Sequence, residues 1–109
     1  MNFDEYQKEA KVFADYPNIG NNIFYPVLGL SGESGEIANK IGKIMRDGLD
    51  IKDTKFRDKI KEEMGDVLWF LSQIGIELNI SLEDVARYNI KKLESRKKRG
   101  VLHGDGDNR

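Results

Sequence analysis

The chain has no cysteine and a single histidine, His103. The first absence removes disulfide frameworks, zinc–thiolate sites and thiol nucleophiles, and it fits a reducing interior. The second removes the Glu-x-x-His pairs that a di-iron, oxygen-activating helix bundle requires, and His103 reads as a plain tail residue. An excess of one charge is also lacking. Lys and Arg number 18 against 19 Asp and Glu, for a net charge of −1, so no global positive field marks a dedicated nucleic-acid binder. Long apolar runs are missing as well: Val67-Leu68-Trp69-Phe70-Leu71 falls far short of the ~20 residues that cross a bilayer. The opening Met-Asn-Phe-Asp-Glu places acids where a signal peptide needs basic residues. A soluble, unexported chain with no membrane partner is expected, and no stretch carries a strand pattern of weight.

Helical periodicity is what the sequence does have. Phe3, Tyr6, Ala10, Phe13 and Ala14 predict a first helix over about 3–15, stopped by Tyr16-Pro17. The turn-rich Asn18-Ile19-Gly20-Asn21-Asn22 predicts a loop, and Pro26 suits the first turn of a second helix running to about Met45. Gly29, Gly32 and Gly35 lie along one side of that helix, where a ligand or another helix can approach the backbone. Asp53 or Thr54 caps a third helix that extends to about Leu78, with Phe56, Ile60, Met64, Val67, Leu71, Ile74 and Leu78 as its apolar stripe. Leu68, Phe70 and Ile76 widen the stripe, so this helix should be central. Asn79 ends it. Ser81-Leu82-Glu83-Asp84 starts a fourth helix, whose Val85, Ala86, Tyr88, Asn89 and Leu93 are expected to face inward. The expectation is an all-α, four-helix bundle-like single domain over 1–99, with a polar, glycine-rich tail over 100–109 and completion of the core by oligomerisation.

Two carboxylate pairs occupy the same phase on the second and third helices: Glu33-x-x-Glu36 and Glu63-x-x-Asp66. Positions three apart share a helix face, so each pair presents its acids side by side at the margin of a face that should be buried. One such pair is ordinarily a solvated helix surface. Two at matching phase, both beside apolar residues and glycine, predict convergence between packed helices, where four carboxylates repel unless protonated or neutralised. A hard divalent cation with oxygen ligands, Mg²⁺ above all, neutralises them. Glu62 points about 100° away from Glu63. Such a site binds phosphate oxygens and activates water for phosphoryl or nucleotidyl transfer. Lys40 and Lys43 beyond Glu36, with Lys92 and Arg96 on the fourth helix, are the candidate phosphate contacts, and Asn89, one turn before Lys92 on the inward face, needs polar partners; most of the basic run from Lys91 to Arg99 simply offsets a helix dipole. Phe70, four residues after Asp66, is a candidate base-stacking side chain, whereas Trp69 points elsewhere.

Leu28-Gly29-Leu30-Ser31-Gly32-Glu33-Ser34-Gly35-Glu36, Glu62-Glu63-Met64-Gly65-Asp66-Val67-Leu68-Trp69 and Asn89-Ile90-Lys91-Lys92-Leu93 with Arg96 together resemble the MazG-like nucleoside triphosphate pyrophosphohydrolases of the all-α NTP pyrophosphatase superfamily. The likeness implies an enzyme, assembled as a homodimer or homotetramer, that converts a (deoxy)nucleoside triphosphate to its monophosphate and pyrophosphate. It implies Mg²⁺ as cofactor, with Mn²⁺ able to substitute, held by Glu33, Glu36, Glu63 and Asp66. Lys43, Asn89, Lys92 and Arg96 would be the phosphate contacts. With no cysteine and no histidine outside the tail, one of the four carboxylates, Glu36 or Glu63, is the expected catalytic base. The likeness also implies the cytoplasm of a bacterial cell or of a phage-infected host. Two other readings of the same residues are a non-catalytic helical interaction module and a nucleic-acid-binding accessory protein using the basic end of the fourth helix.

Overall fold

A computed structural model describes residues 1–109 as an all-α single domain. The helices are α1 (Phe3–Ala10), α2 (Phe24–Arg46), α3 (Thr54–Leu78) and α4 (Leu82–Lys98), and a single 3₁₀ turn, Lys11–Phe13, extends α1. Local chemistry sets most of the ends. The Asn2 side chain caps α1 through Glu5 N–H, Asp53 caps α3 through Lys55 N–H, and Ser81 caps α4 through Asp84 N–H, each satisfying a donor the helix cannot. Asn79 ends α3 in the left-handed conformation at φ 55°, which Asn tolerates better than most residues. The first helix is shorter than its apolar spacing predicts, because the backbone tightens at Lys11 and turns extended at Ala14.

The α2–α3 pair forms the body of the molecule, and α1 lies across α3 and α4. The joint between α1, α3 and α4 is sealed by amides. Gln7 is buried; its Nε2 donates to the carbonyls of Ser72 and Ile80, both at 3.1 Å, and its Oε1 accepts from Leu82 N–H at 3.1 Å. Gln73, 1% exposed, donates at 2.8 Å to the Tyr16 hydroxyl. That hydroxyl in turn donates to Glu77, whose carboxylate also accepts from the backbone N–H of Gly20 at 3.0 Å and of Asn22 at 3.1 Å. One acid thereby fastens the whole loop between α1 and α2 onto α3.

Burial, and then the Glu77 carboxylate, push the Tyr16 hydroxyl up to about 12 from its ordinary 10.0. A raised acid favours its neutral form in the folded state, so its stabilisation is complete below the ordinary value and disappears as pH climbs through about 12. Thermal melts are expected to show falling stability across that alkaline window, and Tyr16→Phe should reduce the fall. A pH profile unchanged by the substitution would mean the clasp carries no titrating stabilisation.

Apolar burial is sparse. Only Ala10, Tyr16, Ile44 and Leu82 are buried hydrophobic residues, while Phe13, Phe24, Leu28, Met64 and Tyr88 are more than half exposed. The radius of gyration is 16.8 Å, against about 13 Å for a compact chain of roughly 100 residues. The accessible surface is 8325 Å², and a compact monomer of this mass exposes about 6,200 Å². The fourth helix contributes to the surplus: it touches α1 and α3 but not α2. Of the face expected to point inward, Val85, Tyr88, Asn89 and Leu93 are exposed, and only Leu82 and Arg96 are buried in α4. The amphipathic pattern is real, but within one subunit its neighbours leave most of that face uncovered.

Candidate metal and phosphate site

The carboxylates of α2 and α3 do meet. Oxygens of Glu33, Glu63 and Asp66 all lie within 4.8 Å of one another, because the helices pack along much of their length and the pairs sit at matching phase. Glu36 stands beside this trio, close enough to act on Glu33 electrostatically, but is exposed and contributes no oxygen to the cluster. The Glu33 carboxyl is held above its ordinary value, first by hydrogen bonding to Glu63 and then by burial and the charges of Asp66, Glu63 and Glu36. Glu63 is held below its ordinary value, first by Lys40 and then by Glu33. Lys40 Nζ bonds Glu63 Oε1 directly. The other oxygen, Oε2, is buried and receives no hydrogen bond from any lysine, amide or backbone N–H, which leaves only the neighbouring Glu33 carboxyl to meet it.

A buried carboxylate oxygen met only by another acid costs free energy until a cation or a better donor reaches it. Here it belongs to a set of three acids whose only donor atoms are oxygens, which suits a hard divalent cation better than a soft one. The residues therefore fit the group their spacing predicts. Tyr6 of α1 borders the same place, its hydroxyl pushed up by burial and by the Asp66 charge. No apolar or spacing signal in the sequence marks that contact, nor the ion pair that gives Lys40 a carboxylate before any phosphate arrives.

The remaining candidates are distributed unevenly. Lys43 lines a cleft with Lys40 next to the carboxylates. Phe70 lies over the α2 backbone at Gly29, where a Cβ would run into its ring, and packs between Tyr25 and Trp69. The glycine is what lets that ring approach. Around Gly32 and Gly35 the space is open instead. Trp69 does point elsewhere, donating at 3.0 Å to the Ala10 carbonyl. Asn89 and Lys92 ride on α4, away from α2. Arg96 is 5% exposed and donates at 2.5 Å to the Asp107 carbonyl, so in a single subunit it serves the C-terminal turns rather than the carboxylates. His103 is exposed in those turns.

Residues 26–101 match the model of the MazG nucleotide pyrophosphohydrolase domain. The chain belongs to the MazG family. The match spans both carboxylate pairs and reaches through α4, so the MazG domain takes in everything from the first turn of α2 to the beginning of the tail. A relative from Mycobacterium phage L5, described as "Gene 37 protein", is 43% identical over 114 residues, covering all of both chains. No solved structure matches. No helix of this MazG domain is long and apolar enough to cross a membrane.

Proposed function

We propose that this MazG domain hydrolyses a nucleoside triphosphate, with deoxynucleotides favoured, to its monophosphate and pyrophosphate. The observation that carries the reading is the convergence of Glu33, Glu63 and Asp66 with a buried Glu63 oxygen that only Glu33 meets, in a chain of a nucleotide pyrophosphohydrolase family. These three acids, with Glu36 alongside, would hold a Mg²⁺ or Mn²⁺ ion, which would supply neutralisation of the triphosphate and polarisation of the attacked phosphoryl group. Glu36, beside the trio but outside it, is the favoured general base of the pair Glu36 and Glu63, because a carboxylate free of other duties accepts the water proton more readily. Phe70, seated over Gly29 between Tyr25 and Trp69, is the candidate base contact. An interaction module would need neither the trapped acids nor a metal, and its thermal stability would not respond to Mg²⁺.

The bond broken is the one between the α- and β-phosphates. The chain has no Gly-x-x-x-x-Gly-Lys-Ser/Thr loop to hold β- and γ-phosphates for terminal transfer. In ¹⁸O-labelled water, label is expected in the nucleoside monophosphate. Label confined to orthophosphate, with nucleoside diphosphate as co-product, would place the triphosphate in another register and overturn the mechanism.

The working unit is at least a dimer. The surplus of about 2,000 Å² over a compact monomer is the size of a substantial interface, and the unpaired apolar faces of α2, α3 and α4 are where it lies. Asn89 and Lys92 lie on a helix that does not approach α2 within its own subunit, so a second copy is the proposed route by which they would complete a carboxylate cluster. Light scattering at micromolar concentration should return a mass of twice 12.5 kDa or more. A mass near that of one chain would reject the assembly.

A further inference from the structure

Asn89, Lys92 and Arg96 follow one another at steps of three and four residues, so they share a face of α4. Only the last is closed off. Asn89 is exposed and Lys92 half-buried, whereas Arg96 is 5% exposed, stands in none of the chain's ion pairs and keeps its Nε buried without a hydrogen-bond partner. The single hydrogen bond its guanidinium makes is to the Asp107 carbonyl, at 2.5 Å. A guanidinium carries its N–H donors in a planar fork suited to two oxygens of one anion. One carbonyl leaves most of that capacity unused, and a buried charge without a counter-ion is costly.

The carbonyl is delivered by a strap, residues 100–109, that closes on itself. Gly100, at φ 74°, turns the chain out of α4, and Arg109 then reaches back to the carbonyls of Val101 at 2.9 Å, Leu102 at 3.0 Å and Gly106. The Arg109 side chain crosses tightly over Gly104, where an added Cβ would stand 2.7 Å from its Cδ. Hydrogen bonds between this ring and the rest of the chain involve α4 and its end alone. Arg96 donates to Asp107, Arg99 donates to the Arg109 carbonyl at 2.7 Å, and the backbone N–H groups of Gly100 and Val101 donate to the carbonyls of Lys97 and Arg96. Most strap residues are exposed, so little apolar burial holds them down. A ring hinged at a glycine and seated on two arginines can lift without disturbing the helix bundle.

We propose that the strap is an autoinhibitory latch: closed, it occupies Arg96, and it opens at Gly100 before Arg96 can join Asn89 and Lys92 on a triphosphate. The inference rests on the pyrophosphohydrolase reading for its ligand. A multivalent anion offers the fork several charged oxygens, so it outcompetes a neutral carbonyl. The fraction of closed chains lowers the apparent affinity in proportion.

Two substitutions open the ring by independent routes. Arg109→Ala removes the three carbonyl contacts, and Gly104→Ala pushes the Arg109 side chain aside. In both variants Arg96 should become reactive toward an arginine-selective dicarbonyl reagent, located by mass spectrometry, while in the wild type it stays protected. Both should bind a non-hydrolysable triphosphate analogue with Mg²⁺ about five- to tenfold more tightly by calorimetry, the gain for a strap closed about 80–90% of the time. For the hydrolysed substrate, KM should fall by a similar factor with kcat little changed. In an Arg96→Gln background the gain from Arg109→Ala should vanish, because both act through one contact. Asp105→Asn, at an exposed position of the strap, is the control and should behave as wild type. Affinity unchanged or weakened in the opened variants, a gain that persists without Arg96, continued protection of Arg96, or no analogue binding by any of these proteins would each overturn the latch. Normal triphosphate cleavage beside any of those results leaves the enzymatic reading standing. Arg96-dependent tightening in a protein that cleaves no triphosphate would keep the latch and retire the enzymatic reading.

Discussion

Replacing Glu63 with Gln is expected to lower Mg²⁺-dependent kcat/KM by at least about tenfold, equivalent to about 1.4 kcal/mol of transition-state stabilisation. The amide keeps the shape of the side chain but removes a charged oxygen from a cluster in which three carboxylates lie within 4.8 Å. It also puts an NH₂ group where either Lys40 or the buried Oε2 position now has an acceptor. Without metal, the substitution relieves repulsion against Glu33 and Asp66 while losing the Lys40 ion pair, so the two effects oppose each other and the melting temperature should move little. The increase in melting temperature on adding Mg²⁺, which measures preferential binding to the folded state, should largely vanish. Full turnover in Glu63→Gln would show that the chemistry lies elsewhere in the molecule.

The second large effect is structural. Gly75→Ala should destabilise the protein by about 2–3 kcal/mol, the usual range for forcing an extra methyl into a filled site, and lower its melting temperature by roughly 10 °C. Alanine is ordinarily preferred to glycine inside a helix by about 1 kcal/mol. Here its Cβ would stand 2.5 Å from the Ile80 carbonyl oxygen and 2.6 Å from Gln7 Nε2. The first is backbone and cannot swing aside, and the second is held by two carbonyls. Gly42→Ala provides the contrast: nothing lies within 4 Å of the Cβ it would add, so the helix preference acts alone and the variant should be slightly more stable. Equal melting temperatures for the two variants would refute the packing argument.

Helix ends were legible because their causes are local. Asp53, Asn79 and Ser81 each act on backbone groups no more than three residues away or on their own dihedral angles, and a sequence displays such signals directly. The meeting of Glu33 with Glu63 and Asp66 was legible for a related reason: matching phase on two long helices leaves few ways to pack them without bringing the acids together. Other features depend on distance in the sequence. Lys40 reads as a surface cation until α3 supplies Glu63 from 23 positions away. Gln7 and Gln73 are amides that any hydropathy pattern turns outward, yet their partners wait on other elements of the chain. The fourth helix shows a third kind of limit. Its period announces a face to be covered, but periodicity contains no information on whether the cover comes from the same chain. Arg96 is the extreme case, drawn in by the Asp107 carbonyl in a segment with no regular structure of its own.

The few buried apolar side chains have a consequence for the amount of protein a cell must make. A subunit with only four such residues enclosed would, if its remaining apolar faces are covered by its own copies as proposed, owe much of its folding free energy to association, and that part would depend on concentration. At low expression most chains would be single, partly uncovered and open to proteolysis. Output would then rise more steeply than gene dosage, giving a threshold below which newly made chains are cleared and above which they persist.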